Sequence, residues 1–241
     1  NIALEGMNLS QVQVLDRFKG SQIELEVTQI GKACHGDTCA IFREVGKCAM
    51  PKEGIFCRVI HPGEVKEGDK LEHIPSCFNA TVITLSDRAA GRIYHDKSGE
   101  FIEAELNSHF EKLHKRLKIN RHVIPDDADQ LTELLNQSKN DQVDVVFTTG
   151  STGIGSRDIA PETLRPFFDK ELPGIMEMIR VKYGWENPNA LLSRSVAGVS
   201  GKTLFYALPG STKAVSEYLE VILPTLLHSI KMMHDLDDHA S

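Results

Sequence analysis

The run Val143-Asp144-Val145-Val146-Phe147-Thr148 passes without a spacer into Thr149-Gly150-Ser151-Thr152-Gly153-Ile154-Gly155-Ser156-Arg157-Asp158. Few folds accommodate that junction. A short β-branched run reads as a strand buried in a sheet, and the glycines after it let the chain turn tightly with its amide groups available. Similar signals recur on both sides. Ala80-Thr81-Val82-Ile83-Thr84-Leu85 is a second β-branched run. Apolar residues at Phe101, Ile102, Leu106, Phe110, Leu113 and Leu117 predict a helix from Gly99 to about Lys118. His122-Val123-Ile124 reads as a strand, Ala128 to Ser138 as a helix, and Pro161 as the start of another. Leu204-Phe205-Tyr206-Ala207-Leu208 predicts a late strand, and Ser211 to about Met233 a long helix with a kink or restart at Pro224. This alternation predicts an α/β fold over 76–241, a three-layer α/β/α sandwich around a mostly parallel sheet. Ligands of such sheets bind beyond the carboxyl ends of the strands.

Residues 1–75 follow a different grammar. Gln22 to Ile30 alternates polar and apolar, Phe56-Cys57-Arg58-Val59-Ile60 is a strand candidate, and turns fall at His61-Pro62-Gly63 and Gly68-Asp69. The expectation is a small, mostly β module. Below about 80 residues a lone core is marginal, and the chain opens on Asn1 rather than Met: either it was trimmed or it begins inside a longer protein. Aspartate and glutamate number 34 against 27 lysines and arginines, a formal charge of -7, which argues against a general electrostatic grip on nucleic acid and leaves a local basic cluster open. No apolar stretch approaches the ~20 residues of a membrane helix. The five cysteines, Cys34, Cys39, Cys48, Cys57 and Cys77, are odd in number and confined to the first third. That favours a reducing cytoplasm over a disulfide scaffold.

The glycine-rich segment has the physical make-up of a phosphate cradle: backbone donors freed by glycine, hydroxyls alongside, and a helix N-terminus following. It reads equally as a connector. Asp158 ends it, and Asp126 and Asp127 follow the strand at Val123-Ile124. Carboxylates beside a phosphate site repel the ligand unless a cation bridges them, which suggests Mg²⁺. Helix capping is the alternative use of Asp; it is preferred for Asp127, and both readings stay open for Asp126 and Asp158. Ser86-Asp87-Arg88 and Pro209-Gly210-Ser211 follow two other strands and suit either ligand contact or turn and cap. Gly198 to Thr203 ends like a P-loop, but Val196 stands where the first glycine belongs, so a turn between strands is expected. No G-x-S-x-G or H-E-x-x-H occurs. His228, His234 and His239 read as solvated positions. Cys34-His35 with Cys39 lacks the paired spacing of a zinc ribbon; Cys34 suits a reactive thiol or a small buried residue.

From about Asn79 to Asp235 the chain resembles the molybdopterin adenylyltransferases, the MogA/MoaB-type family of molybdenum cofactor biosynthesis. The resemblance rests on motifs in order: Thr84-Leu85-Ser86-Asp87-Arg88, Tyr94-His95-Asp96-Lys97-Ser98-Gly99, Ile124-Pro125-Asp126-Asp127, Thr148 to Gly153, Arg157-Asp158-Ile159-Ala160-Pro161-Glu162 and Leu208-Pro209-Gly210-Ser211. Ser151 stands where the family usually has glycine, and a positive φ there would cost on the order of 1 kcal/mol. From Ile2 to Ile74 the chain is similar to the later part of a MOSC domain, through Leu25 to His35, Met50 to Val59 and Gly63 to Asp69.

The first resemblance implies that the terminal phosphate of molybdopterin attacks the α-phosphorus of ATP, giving adenylyl-molybdopterin and pyrophosphate. It implies Asp126 and Asp158 as essential carboxylates, holding Mg²⁺ or orienting substrates. Thr149, Gly150, Ser151, Thr152 and Gly153 would cradle phosphate, and Ser86, Asp87, Pro209, Gly210 and Ser211 would line the pterin or nucleotide pocket. It further implies a homotrimer and contact with a molybdate-insertion enzyme. The MOSC resemblance implies sulfur or cofactor handling at Cys34. Rival expectations are a pterin-binding or molybdate-inserting protein without adenylyl transfer, or sulfur transfer as the main activity.

Overall fold

The computed structural model describes residues 2–31, 43 and 54–236. The chain forms two compact units, one ending at Ser76 and the next beginning at Cys77. In the first, β1 (Arg17–Lys19), β2 (Glu24–Ile30), β3 (Ile55–His61) and β4 (Glu72–Ile74) make an antiparallel sheet in the order β3-β2-β1-β4. Val12, Phe18 and Val27 form its buried core. Two buried carboxylates cross-link it. Glu26 takes Arg17 at 3.2 Å and Arg58 at 2.5 Å. Asp16 accepts from the amides of Ser76 (2.8 Å) and Gln13 (2.9 Å) and lies 2.7 Å from His73 Nε2. Cys34, Cys39 and the remaining MOSC-like signals between 32 and 53 lie outside the described residues, apart from Arg43.

The second unit begins with β5 (Cys77–Leu85), α1 (Asp87–Ala90), α2 (Lys97–Lys112), β6 (Arg116–Ile124) and α3 (Ala128–Asn140). It continues with β7 (Val145–Thr149), α4 (Ala160–Leu164), β8 (Lys170–Glu171) and α5 (Pro173–Gly184), and ends with β9 (Ala197–Ser200), β10 (Thr203–Leu208) and α6 (Thr212–Met233). The sheet order is β6-β5-β7-β10-β9-β8. β6, β5, β7 and β10 are mutually parallel, and β9 runs antiparallel to β10 and to β8. Against one face, Ile83, Leu85, Val146, Phe205 and Ala207 meet Leu131 and Leu135 of α3 and Ala160 and Leu164 of α4. α2 and α6 pack on each other and against β5 and β10, burying Ile102, Leu106 and Phe110 and Leu219, Ile222 and Leu226. The result is the three-layer, mostly parallel α/β sandwich that the alternation predicts. Among the described residues no helix is long and apolar enough to cross a membrane.

Four sequence expectations need correction. The helix expected to reach Lys118 stops at Lys112, where Leu113 caps it and His114 turns left-handed with φ 53°. The chain then becomes β6, paired with β5 from Cys77↔Arg116 to Leu85↔Ile124. Leu113 and Leu117 continue the helical spacing by coincidence; Leu117 and Ile119 belong to a period-two strand with Arg116, Lys118 and Asn120 exposed. That strand starts six residues before the expected His122 and forms one edge of the sheet. Pro224 neither ends nor restarts α6, which runs through it over 22 residues. His234 is not solvated: it caps α6, half-buried, with Nε2 3.9 Å from Asp144 Oδ1. His228 is exposed, and His239 lies outside the described residues. The P-loop look-alike is the expected turn, with Gly201 at φ 57° joining β9 to β10.

Candidate active site at the carboxyl edge of the sheet

The four parallel strands end abreast. Leu85 pairs with Ile124, Thr84 with Thr149, and Leu208 with Thr149. Their outgoing loops therefore share one edge: Ser86-Asp87, Pro125-Asp126-Asp127, Gly150 to Asp158, and Pro209-Gly210-Ser211. Gly150 allows them to converge. Its φ is 98°, and a Cβ there would sit 2.3 Å from the Leu85 carbonyl. Its amide donates to Leu208 O at 3.0 Å, and the Thr149 hydroxyl donates to Pro209 O at 2.8 Å. Gly210 crowds in from the other side, where a Cβ would lie 3.3 Å from Gly150 Cα. Any side chain at 150 would push these loops apart.

Ser151 adopts the left-handed conformation expected at its position, φ 56°. Its hydroxyl offsets the strain. It accepts from the Ile159 amide at 2.8 Å and lies 3.2 Å from Arg157 O. Thr149 and Thr152 are buried, and the Thr149 hydroxyl is taken up by Pro209 O. The segment from Gly153 to Arg157 faces solvent.

Asp158 folds back into this loop. Its Oδ2 accepts the Gly155 amide at 2.7 Å, and a Cβ on Gly153 or Gly155 would come within 2.8 or 2.9 Å of that oxygen. Asp126 comes from the loop after β6, which β5 separates from β7 in the sheet. Burial pushes its carboxyl above the ordinary value, the Ser151 hydroxyl pulls it back, and the Asp158 charge pushes it up again. Two carboxylates from separate loops thus feel each other beside a glycine-bent backbone. The Asp126 amide donates to Asp87 Oδ1 at 3.2 Å, and Asp87 is ion-paired with Arg157. Ser86 caps α1 through Ala89 N at 3.3 Å and meets the Tyr94 hydroxyl at 3.2 Å. Asp127 is the cap of α3, with its carboxylate taking the Asp129 and Gln130 amides. Ser211 caps α6. Cys34 lies outside the described residues.

A family described as "Probable molybdopterin binding domain" matches residues 81–228. The chain belongs to this family. A relative from Helicobacter pylori named molybdopterin adenylyltransferase is 35% identical over 153 residues, which are 63% of this chain and 85% of the relative. Gephyrin of Dictyostelium discoideum is 33% identical over 159 residues; the match takes 64% of this chain and 22% of gephyrin's length. A crystal structure of the tungsten cofactor synthesizing protein MoaB from Pyrococcus furiosus superposes with a TM-score of 0.59 at 35% identity, covering 66% of this chain and 98% of that one. All of β5 beyond Ala80 and the loops described above fall within the molybdopterin-binding match.

Two arginines of this unit were given no site role by the sequence, although Arg157 opens one of the motifs quoted above. Arg157 joins the glycine-rich loop to Asp87. Arg194 approaches the same loop from the segment before β9. Its amide donates to Thr152 O at 3.0 Å, Nε to Gly153 O at 2.5 Å and Nη2 to Asp158 O at 2.9 Å, and Nη1 pairs with Glu162. A hollow of about 290 Å³ beside it is lined by Ile154, Gly155, Asp158, Ile159, Glu162 and Arg194. Nothing in the spacing of Leu192-Ser193-Arg194-Ser195 signals these contacts, because their partners are carbonyl groups.

Proposed function

We propose that the chain is a molybdopterin adenylyltransferase. The observation that carries this is the convergence of the loop bearing Asp126, the Gly150–Asp158 loop and Gly210 at the carboxyl ends of four parallel strands. The reaction written for this site is an attack of the terminal phosphate oxygen of molybdopterin on the α-phosphorus of ATP. A new P–O bond forms, the bond to the β-phosphate breaks, and pyrophosphate leaves with that electron pair. The nucleophile is already ionised near neutral pH, so the site needs no general base; catalysis is positioning and charge neutralisation. Amides of the glycine-rich turn and of Gly210 suit the triphosphate oxygens.

Magnesium fits the donor set. Among the described residues no group of three or more His, Cys, Asp or Glu side chains forms a protein-only cage. Magnesium that arrives with a nucleotide needs only one or two carboxylates, and Asp126 and Asp158, carried by loops that leave the same edge of the sheet, would supply them. Once bound there it would supply charge neutralisation for the phosphates. The finer expectations remain parts of this proposal: a MOSC-like first unit with a sulfur-handling Cys34, a homotrimer, and a cytoplasmic location. The first two rest on the sequence resemblance, and the location rests on the number and placement of the cysteines.

The test incubates the purified chain with molybdopterin, ATP and magnesium and follows adenylyl-molybdopterin and pyrophosphate together. Asp158→Ala is expected to lower kcat by about 10²-fold or more. Undiminished turnover in that variant would remove the carboxylate pair from the mechanism, and absence of product from the parent chain would remove the activity.

A further inference from the structure

We propose that Arg194 is a positioning residue for adenylyl transfer, a guanidinium clamp that fixes the glycine-rich loop and the Asp158 main chain; this rests on the adenylyltransferase reading. The loop needs such a clamp. Its tip, Ile154 to Arg157, is exposed; Gly155 N to Asp158 Oδ2 at 2.7 Å and Asp158 N to Gly155 O at 3.0 Å shape it, and the Arg157–Asp87 ion pair ties only its last residue to another loop. Arg194 grips both limbs. On the incoming limb it takes Thr152 O and Gly153 O, and on the outgoing limb Asp158 O. The Ser151 hydroxyl and carbonyl already join the limbs near their base, through Ile159 N, Arg157 O and Ala160 N; the Arg194 fork joins Gly153 O to Asp158 O and so holds the part that carries the Asp158 carboxylate.

The stem of that fork is itself held. The Tyr218 hydroxyl of α6 donates to Ser193 Oγ at 2.9 Å, and Arg180 of α5 donates to Ser195 O at 3.2 Å. Ser195 is buried. Arg194 therefore projects from a segment pinned on each side by a different helix, the arrangement that keeps a positioning group from drifting. Its acceptors on the loop are neutral carbonyls, so geometry rather than charge makes the contact. An ammonium group is a single point and cannot span Gly153 O and Asp158 O together.

The experiment compares Arg194→Lys, Arg194→Ala and Glu162→Gln with the parent in the full chain. In ligand-free protein, amide hydrogen exchange at Gly155 and Asp158 is expected to speed up by about tenfold in both Arg194 variants, the size expected when carbonyl hydrogen bonds are lost. Exchange in β7 and β10 stays at parent rates, which separates loop release from unfolding. With molybdopterin and magnesium-ATP, kcat falls by about 10²-fold in Arg194→Lys while KM for ATP moves by less than about threefold, as a displaced Asp158 requires. Glu162→Gln, which removes only the exposed ion pair, keeps both parameters within about threefold. Parent-like loop exchange or parent-like kcat in Arg194→Lys overturns the clamp, because charge alone would then suffice. A raised KM with unchanged kcat also overturns it, making Arg194 a ligand contact. If the parent shows no turnover, the adenylyltransferase reading has failed, and the exchange arm alone decides whether Arg194 holds the loop.

Discussion

At the scale of single residues, burial holds the proton on Asp126 longer than on a free carboxyl, the Ser151 hydroxyl works against it, and the Asp158 charge adds to it. An acid with a raised value binds a proton in the folded state over a range where the unfolded chain has already released it. Stability from this group therefore falls as pH rises from the ordinary carboxylate range through the raised value, and stays low above it. Asp126→Asn removes that cost. Its melting temperature is expected to exceed the parent's at neutral pH, the gap closing on acidification below the ordinary carboxylate range, while turnover is lost. A variant that melts below the parent at neutral pH would show that the carboxylate stabilises the fold. Much of the candidate site was legible at this scale. Asp126, Asp158 and the glycines stand next to strand ends, and the positive φ of Ser151 follows from the glycine usual at its position. Arg194 was not legible: its contact with Gly153 O bridges 41 residues and ends on a peptide group, which every residue possesses.

Among the elements, α6 carries the feature least expected from local rules. Pro224 sits inside a continuous helix on its exposed side. Proline there removes the amide that would bond the Glu220 carbonyl and crowds that turn. The helix persists because Val215, Leu219, Ile222, Leu226 and Ile230 are buried along its other side, so tertiary packing outweighs the local penalty. Pro224→Ala is expected to raise unfolding stability by about 1–3 kcal/mol, read from denaturant melts; a loss of stability would mean that the proline relieves a bend the packing needs. The same competition explains the misread boundary before β6. Leu113 and Leu117 satisfy a helical period, but nine paired positions with β5 decide the conformation from Arg116 onward, and pairing of that kind is invisible to a local pattern. The strands β5, β7 and β10 were legible because both their faces are covered, which leaves nearly unbroken apolar runs.

For the molecule as a whole, two separate cores predict two unfolding steps in calorimetry. Asp16 lies at the centre of the smaller one. Burial pushes its carboxyl up, but the bonds from the Ser76 amide, His73 and the Gln13 amide outweigh that and hold it below the ordinary value. Its contribution is present above the ordinary carboxylate range and is lost as pH falls through the lowered value. Asp16→Ala is expected to destabilise the first unit by about 3 kcal/mol, shifting one transition and leaving the other in place. A single transition that moves as one would show that the units unfold together. The larger sheet, finally, has a flank at β6, which among the described residues has β5 as its single strand neighbour. Arg116 and Lys118 project along that flank, exposed at every second position. Another molecule offering the same strand would bring cation against cation, so the row discourages end-to-end sheet growth and the fibrous aggregation that bare strand edges invite.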